Sequence, residues 1–275
     1  MIKMTQSTMN SSLKQIKSSS LVIIVRGNNP EKMVTNGFGE LELKIPQKKI
    51  VIKPNLIGNK PYPTTTSAKT VEAIIKNLKK FNKEILIAEG SGWADTNKAY
   101  RDRGYQQVAE KYGVKLLDLN NDQYEKVKNP NTMVLKEYEF PLTLKDCYVV
   151  SAAVLKVHGQ AGVTLSVKNM LGATIGGHKG RFHSKGIHQS IVDINLYKAP
   201  DLAIIDGIEG NVRGELGGET KKFNVMIFSQ DPVAADAVGA NILGVAPLSI
   251  KHLKLAQEKG LGIADLGKIN VRELK

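Results

Sequence analysis

Residues Cys147 to Leu155 read CYVVSAAVL, an apolar, β-prone run broken by one serine, and Lys156, His158 and Gly159 follow it directly. A run of that length ending in charge and turn formers is the pattern of a strand buried on both faces. Such a strand delivers its last residues to the carboxyl edge of an open α/β sheet, the edge at which these sheets bind ligands. Here that edge is chemically dense. The stretch Val150 to His188 holds four of the five histidines of the chain, with Lys156, Lys168 and a succession of glycines.

The rest of the chain repeats the strand-then-site pattern. Leu21–Val25 and Ile50–Lys53 are strand-like, separated by turn-prone residues that include Asn28-Asn29-Pro30 and Gly37-Phe38-Gly39. The second strand ends in Lys53-Pro54-Asn55-Leu56, and proline cannot continue a ladder. Thr66 or Ser67 can cap a helix whose apolar positions Ala68, Val71, Ile74, Ile75, Leu78 and Phe81 keep helical spacing. Ile85–Ala88 returns as a strand and opens into the loop Glu89-Gly90-Ser91-Gly92-Trp93. Asp95 starts a helix that runs to about Tyr112, Gly113 ends it, and Val114–Leu119 is the next strand. Tyr124 to Pro141 is polar and reads as a peripheral insertion or an edge strand.

Beyond the histidine-rich stretch, Ile187–Leu196 is helical in pattern and Leu202–Asp206 is a strand leading into Gly207-Ile208-Glu209-Gly210. Arg213 to Gly218 is read as a mobile glycine-rich loop. Phe223–Phe228 is a strand that opens into Asp231-Pro232, a strong start for a helix through Leu243. The expected fold is α/β, a mostly parallel, doubly wound sheet with helices on both faces. It would occupy residues 21–275 as one domain, with a boundary near 120–146 if it splits into two closely packed lobes. Residues 1–20 lack periodicity and read as a flexible N-terminal arm.

Composition removes several function classes. One cysteine, Cys147, supports neither a disulfide framework nor a thiolate set for zinc or an iron-sulfur cluster. No apolar run reaches the roughly 18 residues of a membrane span, and no signal-peptide core stands at the N-terminus, so a cytoplasmic location without membrane partners is expected. The net charge of +13 favours anionic partners. Aromatic residues are 5% of the chain and do not interleave with the lysines, which disfavours nucleic acid as partner. Self-association into a homo-oligomer stays open.

Three constellations can carry chemistry. Lys156, His158, Lys168 and Asn169, with His178, His183 and His188, combine anion anchors, proton carriers and metal-ligand types. The acidic pairs Asp206 with Glu209 and Asp231 with Asp236 could hold a divalent metal, accept a substrate hydroxyl or act as a base, while a capping role competes for Asp231. Asp236 falls among alanines inside a helix, where a carboxylate needs a partner. Gly172 to Lys179 nearly spaces as a phosphate loop, yet His178 stands where the lysine belongs and no Ser or Thr follows. No NAD or ATP motif is present.

These same blocks carry a resemblance. Lys53-Pro54-Asn55-Leu56, the Glu89–Gly92 loop, Leu155-Lys156-Val157-His158, Gly162 to Gly172, Asp206 to Gly210 and Ser229 to Ala237 resemble, in order, the blocks of the family called domain of unknown function 362. Many of its members carry a ferredoxin-like segment with cysteine motifs, which this chain lacks, so an iron-sulfur role is not expected. A shorter segment, from His158 through Ala161-Gly162, Thr164 and Ser166 to Lys168, is similar to nickel-pincer lactate racemases. In those proteins the corresponding lysine tethers a pyridinium-derived cofactor, and histidines serve as acid, base and metal ligand. The resemblance implies Lys168 as a covalent or anion anchor and His158 as a proton carrier.

The expected function is an enzyme that binds a small anionic substrate or cofactor at the carboxyl edge of the sheet. His158, Lys168, Lys156 and Asp206 would be catalytic; Lys53, Asn55, Ser91, Thr164, Asn169, Glu209 and Asp231 would bind the anion; His178, His183 and His188 would be candidate ligands for a divalent metal. A polyanion-binding protein without catalysis and a metal- or cofactor-delivery protein are the alternatives.

Overall fold

The structure, a computed structural model, describes residues 19–275. Most of the arm expected over residues 1–20 lies outside the described residues, and Ser20 already opens the first strand.

In chain order, β1 (Ser20–Arg26) leads to α1 (Pro30–Gly39), β2 (Lys49–Pro54) to α2 (Ala68–Leu78), and β3 (Glu84–Glu89) to α3 (Thr96–Asp102) and α4 (Tyr105–Tyr112). After β4 (Lys115–Asp118) come β5 (Tyr124–Lys128) and β6 (Glu137–Pro141), then the long β7 (Cys147–His158), β8 (Gly162–Thr164), α5 (Ser166–Asn169), α6 (Arg181–Ser184) and α7 (Ile187–Tyr197). The chain continues with β9 (Leu202–Asn211), β10 (Thr220–Ser229), α8 (Pro232–Ile242), α9 (Lys251–Glu258) and β11 (Ile269–Leu274).

The sheet order is β11-β1-β10-β9-β7-β2-β3-β4, with β8 folded back on β7. Every strand on this path except β10 runs the same way. One face is covered by α1 to α4, whose Phe38, Val71, Ile74, Ile75, Tyr100 and Tyr105 pack on Ile50, Ile52 and Val150. The other is covered by α5, α7, α8 and α9, whose Val167, Ile191, Val233 and Leu253 pack on Val51, Val149 and Ala153. Alternate residues of one strand thus feed two separate cores, which is why β2 and β7 are apolar without a break. The expected mostly parallel α/β sheet is what forms. The polar segment 124–141 contributes β5 and β6, a separate antiparallel pair.

Three local expectations are corrected. The segment after β1 is a helix: the Asn29 side chain accepts a hydrogen bond from the Lys32 amide and Pro30 occupies the first turn. Its Gly37 lies where a Cβ would strike the Phe228 ring, so that glycine belongs to helix-on-sheet packing and not to a turn. The helix expected from Asp95 to Tyr112 breaks into α3 and α4 at Gly104, whose φ of +82° suits only glycine well.

The third correction concerns direction. β10 is antiparallel to both β9 and β1, so its carboxyl end, with Asp231, emerges at the sheet edge opposite the carboxyl ends of β2, β7 and β9.

Between β2 and β7 the direction of the winding changes. The strand following β2 lies on one side of it, whereas β9 lies on the far side of β7. The crevice at the carboxyl ends of these two strands is the topological switch point, where open α/β sheets bind ligands.

Candidate functional site

That crevice is a cavity of about 570 Å³. Four lysines line it, Lys53, Lys156, Lys168 and Lys179, and none is more than 8% exposed. Buried ammonium groups are costly unless paired, so the partners of each one decide what it does.

Lys53, at the end of β2, is fully partnered. Its Nζ donates to Glu89 Oε1 at 2.8 Å, to the Pro54 carbonyl at 2.9 Å and to Asn169 Oδ1 at 3.1 Å. Glu89 in turn accepts from the amides of Leu56 and Gly90, both at 2.8 Å. A Cβ on Gly172 would collide with the Glu89 carboxylate, so the glycine makes room for the pair. Burial lowers the Lys53 pKa and Glu89 opposes that shift.

Lys156, two residues before the end of β7, donates to the Thr64 carbonyl at 2.8 Å, Asn55 Oδ1 at 3.0 Å and the Glu215 carbonyl at 3.3 Å. Burial, then the neighbouring Lys168 charge, pushes it down to about 7. Asn55 and Asn169 join the lysines: Asn55 Nδ2 donates to Asn169 Oδ1, and Asn169 Nδ2 donates to the Lys53 carbonyl and Ser151 Oγ, each at 3.1 Å. Lys179 donates to the Thr174 carbonyl at 2.6 Å and Thr174 Oγ1 at 3.0 Å, and burial pushes it down to about 7.

Lys168 differs from the other three. It lies within α5, lines the cavity, and makes no hydrogen bond or ion pair among the described residues; burial pushes it down to about 8. Its position is set from the far side of α5. The fully buried Asp236 carboxylate of α8 accepts from the Ser166 amide at 2.7 Å and the Val167 amide at 2.9 Å. This is the partner that a carboxylate among alanines requires.

His158 closes β7. Its Nδ1 accepts from the amides of Gln160 and Ala161, both at 3.1 Å, and its Nε2 lies 3.8 Å from Glu215 Oε1. With Nδ1 taken by two donors, the neutral ring carries its proton on Nε2 and presents a donor to the cavity. Burial and Lys168 lower its pKa well below the usual range. In this tautomer His158 faces the cavity as a hydrogen-bond donor.

Nine of the expected site residues line this one cavity: Lys53, Asn55, Lys156, His158, Thr164, Lys168, Asn169, His178 and His183. Five do not. Ser91 is buried and donates to the Leu56 carbonyl at 2.6 Å, while Gly90, Gly92 and Trp93 of its loop face the cavity. The Asp206 carboxylate is consumed by Thr70 Oγ1 at 2.6 Å, Tyr62 OH at 3.0 Å and the Ile208 amide at 3.1 Å, so it ties β9 to α2 and to the segment that leads into it. Glu209 accepts from Thr220 Oγ1. Asp231 caps α8 through the Val233 and Ala234 amides, both at 3.0 Å, on the opposite edge. His188 stacks on His252 of α9, ring centroids 5.6 Å apart. The expected histidine ligand set therefore does not converge, and among the described residues no group of three or more His, Cys, Asp or Glu side chains is placed to hold a metal ion.

Glu89, Lys179 and Glu215 were not expected at the site. Glu89 carries the same signal as Lys53, a charged residue closing an apolar strand. Lys179 directly follows His178 in the glycine-rich loop, and Glu215 comes from the loop Arg213 to Gly218. No helix among the described residues is long and apolar enough to cross a membrane.

The comparisons with known proteins agree with this architecture. The chain is 24% identical over 228 residues to a thylakoid-associated protein of Synechocystis, covering 78% of this chain and 69% of that one. Its fold is similar to that of the lactate racemase apoprotein from Thermoanaerobacterium thermosaccharolyticum, with a TM-score of 0.55 and 13% identity, over 80% of this chain. The matched part spans just over half, 56%, of that longer protein. The model of one family matches residues 50–241, from β2 to the end of α8 and well over half of the chain, and the protein therefore belongs to the family described as Domain of unknown function (DUF362).

Proposed function

We propose that this protein is a cytoplasmic enzyme that binds a small anion in the lysine-lined cavity and catalyses proton transfer to and from it. Lys168 is the proton carrier, and the Nε2–H of His158 is a neutral hydrogen-bond donor to the charge that develops. The observation carrying this reading is the contrast between Lys168 and its neighbours. Among the described residues Lys53 and Lys156 have three acceptors each and Lys179 has two, whereas Lys168 has none. An amine held near pH 8 without a partner can hold and release a proton near neutrality. The ammoniums of Lys156 and Lys179, recessed among buried groups, stabilise negative charge there. Their recession inside a cavity favours a small molecule over nucleic acid, and the buried, unpaired Cys147 suits a reducing compartment.

The test is exchange of carbon-bound hydrogen into deuterated solvent over a panel of small carboxylates and phosphate esters, read by proton NMR. The native chain exchanges at least one compound and Lys168→Met exchanges none. Exchange that survives in Lys168→Met contradicts the assignment.

One specific observation favours a second reading. The pyridinium-derived cofactor implied by the lactate racemase resemblance needs a lysine free for a covalent bond, and the unpartnered Lys168 fits that need. Such a ring would supply an electron sink, and Lys168 would then hold it and could not carry the proton. The intact mass of protein from its own cells separates the two: the unmodified mass supports the free amine, and an adduct on Lys168 supports the tether.

A further inference from the structure

Two carboxylates line the cavity with the lysines, and they are held in opposite ways. Glu89 is locked: its side chain is 3% exposed and accepts from Lys53 and from the Leu56 and Gly90 amides. Glu215 is loose. Its side chain is 34% exposed, and its Oε1 stops 3.8 Å from His158 Nε2, beyond hydrogen-bond reach. Burial opposes ionisation of this carboxyl, but its own amide, His158, the Gly159 amide and Lys168 outweigh burial and hold it below the usual carboxylate range. A half-exposed charge drawn toward a site without being fixed there can leave it for water at little cost.

The backbone around Glu215 suits such a departure. Residues 213–218 join β9 to β10, and the loop is pinched at its neck, where the Val212 amide donates to the Glu219 carbonyl at 3.0 Å. Three of its six residues, Gly214, Gly217 and Gly218, are glycines at φ between +88° and +124°, conformations that other residues rarely adopt. The Glu215 carbonyl ties the loop to the cavity wall through the longest of the three Lys156 hydrogen bonds, 3.3 Å. Leu216, next in the chain, is 41% exposed at the cavity mouth, so the tip is not sealed down by apolar packing. Below it, Lys168 has no partner among the described residues, and the Glu215 charge is the one that raises its pKa against burial.

We propose that Glu215 is a built-in stand-in for the anion: in the empty protein its carboxylate balances Lys168, and an arriving anion displaces it and lifts the loop 213–218. This rests on the anion-binding reading above and adds to it a group that competes with the ligand. A carboxylate tethered by a short flexible loop competes at an effective concentration on the order of millimolar. An anion therefore enters only if it binds the lysines better than Glu215 does, and weakly held anions are kept out.

The test pairs calorimetry with amide hydrogen exchange on the full chain, with inorganic phosphate and oxalate as probes at an ionic strength of about 0.15 M, where exposed charges are screened. Glu215→Gln, which keeps the size and removes the charge, binds at least one probe tenfold or more tighter than the native chain does. Glu219→Gln, the same charge change at an exposed position outside the cavity, keeps the native affinity. In the native chain that probe speeds exchange of the amides of residues 213–218, and in Glu215→Gln these amides exchange fast without it. Tighter binding with loop exchange unchanged or slowed overturns the displacement and leaves Glu215 a fixed charge. Equal tightening in Glu219→Gln assigns the effect to net charge and overturns the gate. Native or weaker affinity in Glu215→Gln overturns the gate while leaving the anion site standing. Absence of binding of either probe to either chain overturns the gate and the anion reading together.

Discussion

Lys53 Nζ and Glu89 Oε1 lie 2.8 Å apart with side chains 0% and 3% exposed, an ion pair removed from water at the base of the cavity. Removing one member of such a pair strands the other charge in a medium that cannot solvate it, at a cost of about 3–5 kcal/mol. Lys53→Met and Glu89→Gln are each expected to lower the stability from denaturant unfolding by that amount. The double variant recovers a large part of the loss, because no charge is then left alone. A double variant as unstable as the sum of the singles would show that the two side chains contribute independently and that neither charge depends on the other.

Asp236 positions Lys168 without touching the cavity. Burial pushes its carboxyl up to about 8, against the two amides that favour its ionised form. Asp236→Asn keeps the shape but puts an amino group toward one of the two backbone donors, a loss of about 1–3 kcal/mol. Stability falls by that amount, and the titration of Lys168, followed by its reactivity toward an acylating reagent against pH, moves from its native midpoint. An unchanged Lys168 titration would reduce Asp236 to a helix cap.

His252 is fully buried, and among the described residues neither ring nitrogen has a partner. Burial pushes it down to about 3. The folded pKa is therefore below that of the unfolded chain, near 6.5. The unfolded state binds the extra proton between about pH 6.5 and 3, so stability is intact above 6.5 and falls as the pH drops through that window, by about 1.4 kcal/mol per pH unit for this one group. His252→Phe takes no hydrogen bond away and is expected to flatten the decline by one proton, read from urea midpoints between pH 7 and 4.5. An unaltered slope would contradict this role.

Anion affinity has its own pH signature. Lys156 and Lys179 lie near 7 and Lys168 near 8, all lowered by burial. Each loses its charge as the pH rises through these values, so calorimetric affinity for inorganic phosphate is expected to fall by at least tenfold from pH 6.5 to 9. A bound anion opposes this by holding the lysines charged, which shifts the midpoint upward without reversing the sign. Constant affinity across the range would mean that the lysines do not contact the anion.

Much of this was legible in the chain because buried strands announce both themselves and their ends. Cys147–Leu155 and Ile50–Lys53 are apolar on both faces, and Lys53, Lys156 and His158 follow from where such strands stop. Strand direction was not legible. The run Phe223–Phe228 has the same composition whether it runs parallel or antiparallel, so nothing in it says that Asp231 ends on the opposite edge. Nor does a sequence say which side chains are already satisfied. Asp206 looks catalytic at a strand end, yet Thr70 and Tyr62, more than a hundred residues away in the chain, occupy its oxygens. His158 looks like a base until two amides of its own turn claim Nδ1.

The central claim is that Lys168 is kept without a partner for a ligand and not for the fold, and thermal unfolding of Lys168→Met, with and without inorganic phosphate, tests it most directly. Removing a buried ammonium that nothing compensates is expected to stabilise the empty protein by about 1–2 kcal/mol, a rise of roughly 2–6 °C in Tm, while the phosphate-induced rise seen in the native chain disappears. A variant that melts below the native chain and still gains stability from phosphate would contradict the account.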